Sequence, residues 1–325
     1  MLKMHINLKP MNDSPFISIC IPAYKHVDYL QRLLASIITQ TYNDYEVVIT
    51  DDSPDDSVEM LVEEFKLKSD IRYFKNVQPL GTPENWNEGI RKANGTWIKI
   101  MHNDDWFASD DALQVFYDNI QQNPDAVFFF SAFQNVEAET GEKEIVKLSF
   151  AQKKFFESNP YHLLKKVYVG NPSCTLLKRD LDIWYDKRYK FIVDFDYYIR
   201  VIQQTKMPVY IDEVLLNIGF HSEQVTGYTK YNPAVQLPEN ITFLNEQKKD
   251  MLKNIVVFDY YWRLMRNLKI DSEKKLLSFL GNIRPNKKIL FIINFQKRIP
   301  YFLLKVGGIS KFCMSISFSI CHLFY

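Results

Sequence analysis

The chain has 325 residues, 46% of them hydrophobic, with 40 Lys+Arg against 39 Asp+Glu and a formal charge of +1. That length suits one large domain with an appendage, or two domains. From Lys274 onward there are nine cations and no Asp or Glu, so the rest is slightly acidic, which argues against a nucleic-acid footprint on the main body. The cysteines Cys20, Cys174, Cys313 and Cys321 are scattered without metal-type spacing, as expected for free thiols in a reducing compartment. The first long apolar run, Phe16 to Pro22, is too short for a signal-peptide core. A cytoplasmic body is therefore expected.

In chain order, Ile17 to Ile21 reads as a buried strand stopped by Pro22. Leu30, Leu33, Leu34, Ile37 and Ile38 recur at helical spacing, so a helix is expected from about Val27 to Gln40. Tyr45 to Thr50 is a second strand, running into Asp51-Asp52. A helix carrying Val58, Leu61, Val62 and Phe65 and a strand from Ile71 to Phe74 follow. Thr82-Pro83 reads as a helix entry with a hydroxyl cap, and Asn94-Gly95 as the stop. Trp97 to Met101 is the fourth strand, ending at His102-Asn103-Asp104-Asp105-Trp106. Ser109-Asp110-Asp111 is expected to cap a further helix, and Ala126 to Ser131 to form a fifth strand.

Strands alternating with helices at this spacing mean βαβ units and a mostly parallel sheet. Two of its strands end in paired carboxylates. In open α/β sheets ligands sit beyond the carboxyl ends of the strands, and carboxylates gathered there call for a cation or a donor-rich ligand. The plainer alternative is a solvated turn, since Asp and Asn are common turn formers. Past residue 132 the pattern changes. A hairpin is expected around Thr140-Gly141, helix over 150–166 and a loop over 170–173. A helix follows Phe191-Ile192-Val193-Asp194, reaching about Gln204, and two short strands, Val209–Ile211 and Leu215–Phe220, lead to His221.

With these motifs in order, the chain resembles the family 2 glycosyltransferases. The resemblance covers roughly Pro15 to Gly227. It rests on Ile21-Pro22-Ala23-Tyr24, Ser36 to Tyr42 with Gln40-Thr41, Asp51-Asp52-Ser53, Asn87-x-Gly89-Ile90 with Ala93-Asn94-Gly95, His102 to Trp106, Val193 to Asp196 with Arg200, and Gly219 to Thr226. It implies the GT-A fold: a Rossmann-like, mostly parallel sheet flanked by helices. The expected organisation is an extension at 1–14, a catalytic domain over 15–230 and a helical, basic C-terminal region over 231–325. Within the domain, the nucleotide-sugar half is expected at about 15–131 and the acceptor half at 132–230. Two positions depart from the family pattern: His102 stands for the first Asp of D-x-D-D, and Val193 for the Glu before the base.

The reaction implied is transfer from a nucleoside-diphosphate sugar, UDP-sugar being the family's commonest donor, to a hydroxyl of a glycan or lipid-linked acceptor. Cell-surface polysaccharide biosynthesis is the expected setting. The resemblance puts Mg²⁺ or Mn²⁺ on Asp104, with His221 completing the metal or diphosphate site and Asp105 beside it. Hard cations prefer such oxygen ligands. Pro22, Ala23, Tyr24, Asp52, Asn87, Asn103 and Asp104 would line the nucleotide-sugar site. Asp194 is the implied general base, with an N-cap aspartate as its alternative. Asn87 reads equally as a structural amide, Tyr24 as plain packing, and Asp196 as support for the first helical turn. One base without a carboxylate nucleophile suits direct displacement with inversion. A nucleotidyl- or phosphotransferase would need a glycine-rich loop after the first strand, and Ala23-Tyr24-Lys25-His26 is not one. A non-catalytic sugar-nucleotide or glycan-binding protein is the other alternative, motivated by His102 and Val193. In the tail no apolar run reaches the length of a spanning helix. Its basic, aromatic composition suits peripheral contact with an anionic inner membrane face, and the alternative is a helical extension packed on the catalytic domain.

Overall fold

The computed structural model describes residues 14–66, 70–221, 227, 229–247 and 250–324. Nearly all of the expected N-terminal extension, and Ser222 to Thr226 of the last motif, lie outside the described residues. Strands β1 (Ile17–Ala23), β2 (Tyr45–Asp51), β3 (Ile71–Lys75) and β4 (Trp97–Ile100) pair in parallel in the order β3-β2-β1-β4. The connecting helices are α1 (Val27–Ile38), α2 (Ser57–Lys66) and α3 (Glu84–Lys92). Strand β5 (Trp106–Phe107), helix α4 (Ala112–Gln122), strands β6 (Phe128–Glu137) and β7 (Lys143–Val146), and helix α5 (Phe150–Glu157) follow. After them come β8 (Thr175–Lys178), α6 (Val193–Gln204) and β9 (Val209–Phe220). These strands extend the sheet as β4-β8-β6-β9-β5, with β7 hairpinned on β6. Here β8 runs against both β4 and β6, β5 runs against β9, and only β6 and β9 are parallel, so the sheet is mixed in its second half.

Both faces of the sheet are covered, and the strands show why. Ile19, Ile21, Val47, Ile49, Trp97 and Phe129 face one way, onto α1, α2 and α4. Cys20, Val48, Ile98, Ile100, Phe128 and Phe130 face the other way, onto α3, α6 and the C-terminal helices. Alternating side chains that are apolar on both faces specify a central, doubly covered sheet.

Several local expectations are corrected. The Thr82-Pro83 peptide is cis, and α3 begins at Glu84 without a side-chain cap. Asp111 precedes α4 without capping it; its carboxylate accepts from the Ser109 hydroxyl instead. The two short strands expected over 209–220 are one strand, because register shifts against Ser131 and Ala132 of β6 let it pass the exposed Asp212-Glu213 pair.

The C-terminal region forms helices α7 (Pro233–Glu246), α8 (Ile255–Asn267), α9 (Glu273–Leu280), α10 (Lys287–Gln296), α11 (Tyr301–Lys305) and α12 (Gly307–Phe324). Asn232, Asn254, Ser272 and Asn286 cap the first four of these through their side chains. Leu237, Ile241, Phe258, Tyr261, Trp262, Ile292 and Ile293 share one core with α3 and α6. The tail therefore packs on the catalytic domain through this face, which does not decide what its outward side meets. No described helix is long and apolar enough to cross a membrane.

Glu239 of α7 makes the most consequential contact between the two parts. Its buried carboxylate accepts from the backbone N–H groups of Lys190 (2.9 Å), Phe191 (2.9 Å) and Ile192 (3.2 Å) at the entry to α6. Donors at a helix entry need partners, and a carboxylate there also matches the positive end of the helix. Glu239→Ala takes the acceptor away from three backbone donors, of which that of Ile192 is buried. We expect it to lower the unfolding free energy in urea by about 2–4 kcal/mol.

Candidate active site

The site is built where β4 stops. Met101 N–H bonds to the Cys20 carbonyl of β1 (2.9 Å), and the chain then turns through His102 to Asp105 before β5 joins β9. The turn is fixed by Asp105, only 1% exposed. Its Oδ1 accepts from Gly219 N–H (3.1 Å) and its Oδ2 from the Asn171 amide (2.8 Å). His102 N–H bonds the Ser173 hydroxyl (2.9 Å). The Asp104 carbonyl accepts from Arg32 Nη2 of α1 (2.9 Å), whose guanidinium lies 3.6 Å from the centre of the Trp106 ring. Gly219 passes so close that a Cβ there would lie 2.4 Å from the Asp104 carbonyl oxygen.

These contacts leave the Asp104 carboxylate facing His221, with Oδ2 3.1 Å from Nε2. Ligand atoms of His102, Asp104 and Asp105 lie within 4.8 Å of one another. Around them His102 Nε2, Asn103 Nδ2 and His221 Nδ1 are buried with no hydrogen-bond partner among the described residues. Buried polar atoms are normally satisfied, so three such atoms beside a carboxylate mark a place shaped for a ligand. The donor set, carboxylate oxygen with imidazole nitrogen, suits Mn²⁺ and accommodates Mg²⁺ through oxygen alone. Burial, then the neighbouring Asp104 charge, pushes the Asp105 carboxyl up to about 8, and burial holds the His102 imidazole below its usual value. A bound cation would favour the ionised carboxylates.

Lys99 lies within β4 among apolar neighbours. It is fully buried beneath this turn, where its ammonium donates to the Ser173 carbonyl and faces the Phe116 ring at 5.2 Å. Burial pulls it down to about 7, against the opposing pull of Cys174 and Asp105.

Asp194 lies in the first turn of α6, and the N-cap alternative is not realised: the cap position is Ile192, without a side-chain bond. Glu239 satisfies the helix entry instead. Asp194 keeps a partly exposed edge, but its Oδ1 is sealed and unpartnered. Burial raises its carboxyl to about 7. Nearby, Tyr185 stacks on Tyr197 at 3.8 Å and meets Trp86 edge-on at 5.1 Å, while Trp86 lies 4.8 Å from His102. This aromatic row links the Asp194 side to the His102 side. The buried Cys174 thiol is pushed up by burial first, with Asp105 and Asp194 among the charges that add to the rise. The Tyr185 hydroxyl is also buried without a partner among the described residues.

Other expected site residues are engaged within the protein. The Asn87 amide is held in a two-way bond to the Tyr185 backbone, at 2.9 Å from its nitrogen and 3.0 Å to its oxygen, so it positions the aromatic row. Asp52 accepts from Asn76 Nδ2 and from Leu80 and Gly81 N–H, tying down the 76–81 loop. A carboxylate offers about four acceptor sites, which leaves room for one more donor on Oδ2. Ala23 is buried and its carbonyl accepts from Asp52 N–H (3.0 Å), while Pro22 is partly exposed. Tyr24 is half-exposed at the strand end, with Lys25 Nζ 5.1 Å from its ring. Asp196 pairs with Arg200 one turn on, at 2.6 Å, in keeping with helix support. Val193 is buried in the core.

Residues 18–184, slightly more than half of the chain, match the family model for Glycosyl transferase family 2, and the chain belongs to that family. It is 25% identical over 255 residues to an uncharacterized glycosyltransferase of Methanocaldococcus jannaschii, covering 77% of this chain and 81% of the relative. It is also 25% identical over 227 residues to WcaA of Escherichia coli, provisionally named a colanic acid biosynthesis glycosyl transferase, covering 68% and 78%. Among solved structures it resembles Staphylococcus aureus TarS 1–349 in complex with UDP-GlcNAc (TM-score 0.63, 16% identity, 94% and 92% covered). It also resembles the mannosyltransferase PcManGT of Pyrobaculum calidifontis in complex with GDP-Man and Mn²⁺ (TM-score 0.57, 12% identity, 96% and 88% covered). The GT-A fold follows from these likenesses.

Gly219→Ala tests the clasp over the turn. A methyl group against a backbone oxygen has no flexible neighbour to displace, so Asp104 or β9 must move. We expect a loss of about 1–3 kcal/mol in denaturant unfolding, greater than for alanine at Gly308, where nothing lies within 4 Å and no positive φ opposes a side chain.

Proposed function

We propose that the protein is an inverting, metal-dependent glycosyltransferase. It moves a sugar from a nucleoside-diphosphate sugar, UDP-sugar first among the donors to test, to a hydroxyl of a glycan or lipid-linked acceptor in cell-surface polysaccharide assembly. The observation that carries this reading is the pair of unsatisfied polar groups flanking the aromatic row. Unpartnered imidazole and amide atoms beside Asp104 stand on one side, and a sealed, unpartnered carboxylate oxygen on Asp194 stands on the other. The name of WcaA and the sugar nucleotides bound in the TarS and PcManGT structures support the same substrate class. On this reading residues 15–131 form the donor half and 132–230 the acceptor half.

Mg²⁺ or Mn²⁺ would be held by Asp104, with His221 and His102 beside it, and would supply positive charge against the donor's diphosphate. Asn103, with its free amide hydrogens, is placed to donate to the donor, and Tyr24 to offer a flat face to the base. Asp194 takes the proton from the acceptor hydroxyl as that oxygen bonds to the anomeric carbon. The bond to the diphosphate oxygen breaks in the same step, the nucleoside diphosphate leaves with the electron pair, and Asp194 ends as a carboxylic acid. A carboxyl poised near neutrality by burial is suited to this work. With no second carboxylate needed as a nucleophile, the displacement is single and inverts the anomeric centre.

The base role is separable from a structural one. Ionisation of Asp194 costs stability because its folded value, about 7, lies above the unfolded 3.8. That cost is absent below the unfolded value and fully developed above the folded one. Asp194→Asn should therefore raise the melting temperature at pH 8 and leave it unchanged at pH 3, while turnover falls by about 10²–10⁴-fold. In the wild type, kcat/KM should rise with pH through about 7. Equal turnover of a sugar nucleotide in both proteins would remove Asp194 from the reaction. A non-catalytic binding protein would show donor binding with no wild-type turnover.

A nucleotide sugar with Mn²⁺ should raise the melting temperature of the wild type, since a ligand specific to the native state stabilises it. Asp104→Ala should abolish the Mn²⁺-dependent part of that shift. A shift of equal size in the variant would place the cation elsewhere.

A further inference from the structure

We propose that α11 and α12 carry an interfacial docking face for an anionic lipid bilayer, built on the side of these helices turned away from the protein. In α12, Ser310, Met314, Ser317 and Cys321 are buried. Ser310 accepts from the indole of Trp262 (3.1 Å) and from Arg266 Nη1 (3.0 Å) of α8. At 100° per residue these four occupy a sector about 60° wide. Ile309, Phe312, Ile316 and Leu323 fall in a second sector about 60° wide, roughly 140° around the helix. That second sector is apolar and open to solvent: Phe312 is 67% exposed and Leu323 79%. In the preceding segment Phe302, 69% exposed, and Val306, 49% exposed, are likewise open to solvent.

Protein surfaces rarely leave large apolar side chains together in water unless something covers them. The charge beside these residues selects the cover. Lys297, Arg298, Lys305 and Lys311 are all exposed along this segment, and no acidic residue follows Glu273. A second copy of the same face would bring cations against cations. A bilayer with anionic headgroups accepts both features, the rings entering the headgroup boundary while lysine stems reach out to the phosphates. The opposite face of each helix is fixed in the core, so the surface is presented as a rigid platform. Deletion after Pro285 would strip Ile289, Ile292 and Ile293 from that core, so substitutions on the open face are the appropriate probe.

The test is co-sedimentation of the full chain with large vesicles of phosphatidylcholine alone and of phosphatidylcholine with phosphatidylglycerol, without donor or metal. Oligomeric state is measured in parallel by light scattering. The wild type should pellet with the anionic vesicles and be released by high salt. Phe302→Glu with Phe312→Glu should weaken partitioning by at least about tenfold at an unchanged melting temperature. Lys305→Glu with Lys311→Glu should reduce the preference for anionic over neutral vesicles. Protein that stays in the supernatant with both vesicles overturns the proposal. So does a dimer abolished by the phenylalanine pair, which would make the face a contact between copies. The outcome is independent of donor chemistry, so it leaves the transferase reading untouched either way.

Discussion

The carboxylate of Asp105 holds three otherwise separate pieces of backbone together. One is the turn that ends β4, another the Asn171 loop that enters β8, and the last the Gly219 stretch of β9. An ionisable group this deep is tolerable only when its oxygens are satisfied by fixed donors. Here those donors come from segments 66 and 114 residues away. Asp104 is one residue further out and inherits its position from that anchorage, with Arg32 on Trp106 and the bare backbone of Gly219 pressing on the same peptide. The exposed half of the Asp-Asp pair is thus available for ligand because the buried half is not.

A similar division of labour operates at Asp194. A carboxylate in the first turn of a helix usually serves the helix, yet here Glu239, from a helix outside the family-matched region, satisfies the three donors at that entry. Relieved of that task, Asp194 retains a buried oxygen without a partner among the described residues. Desolvation then does what a neighbouring acid would do elsewhere: it lifts the carboxyl toward neutrality.

Periodicity and turn chemistry made most of the fold legible. β1 through β4 begin at the residues expected of them, and α1 ends at Ile38, two residues before the expected stop. The acidic strand ends and the motif around Asp194 are the same segments in which the structure leaves buried polar atoms without a partner among the described residues. Interactions across long sequence separations were not legible. Nothing local marks Asn87 as a clamp on Tyr185, Glu239 as a cap for another helix, or Lys99 as a buried ammonium inside a strand of apolar neighbours. Gly219 appeared only as a motif letter; its need for a missing Cβ depends on Asp104, 115 residues earlier. Arg32 sits beside the Leu30, Leu33 and Leu34 stripe of α1, where a lone cation reads as solvated until Trp106 is placed against it. Asp212-Glu213 interrupts the apolar run of β9, while the bulge that carries the strand past it depends on the partner strand.

The bond from Glu239 to the α6 entry has a bearing on how such proteins can be recombined. A hybrid that joins residues 1–230 of this chain to the tail of a distant relative would transplant the aspartate without the residue that orients its helix. A productive exchange would have to move α6 and α7 as a unit, whichever sugar or acceptor the hybrid is meant to handle.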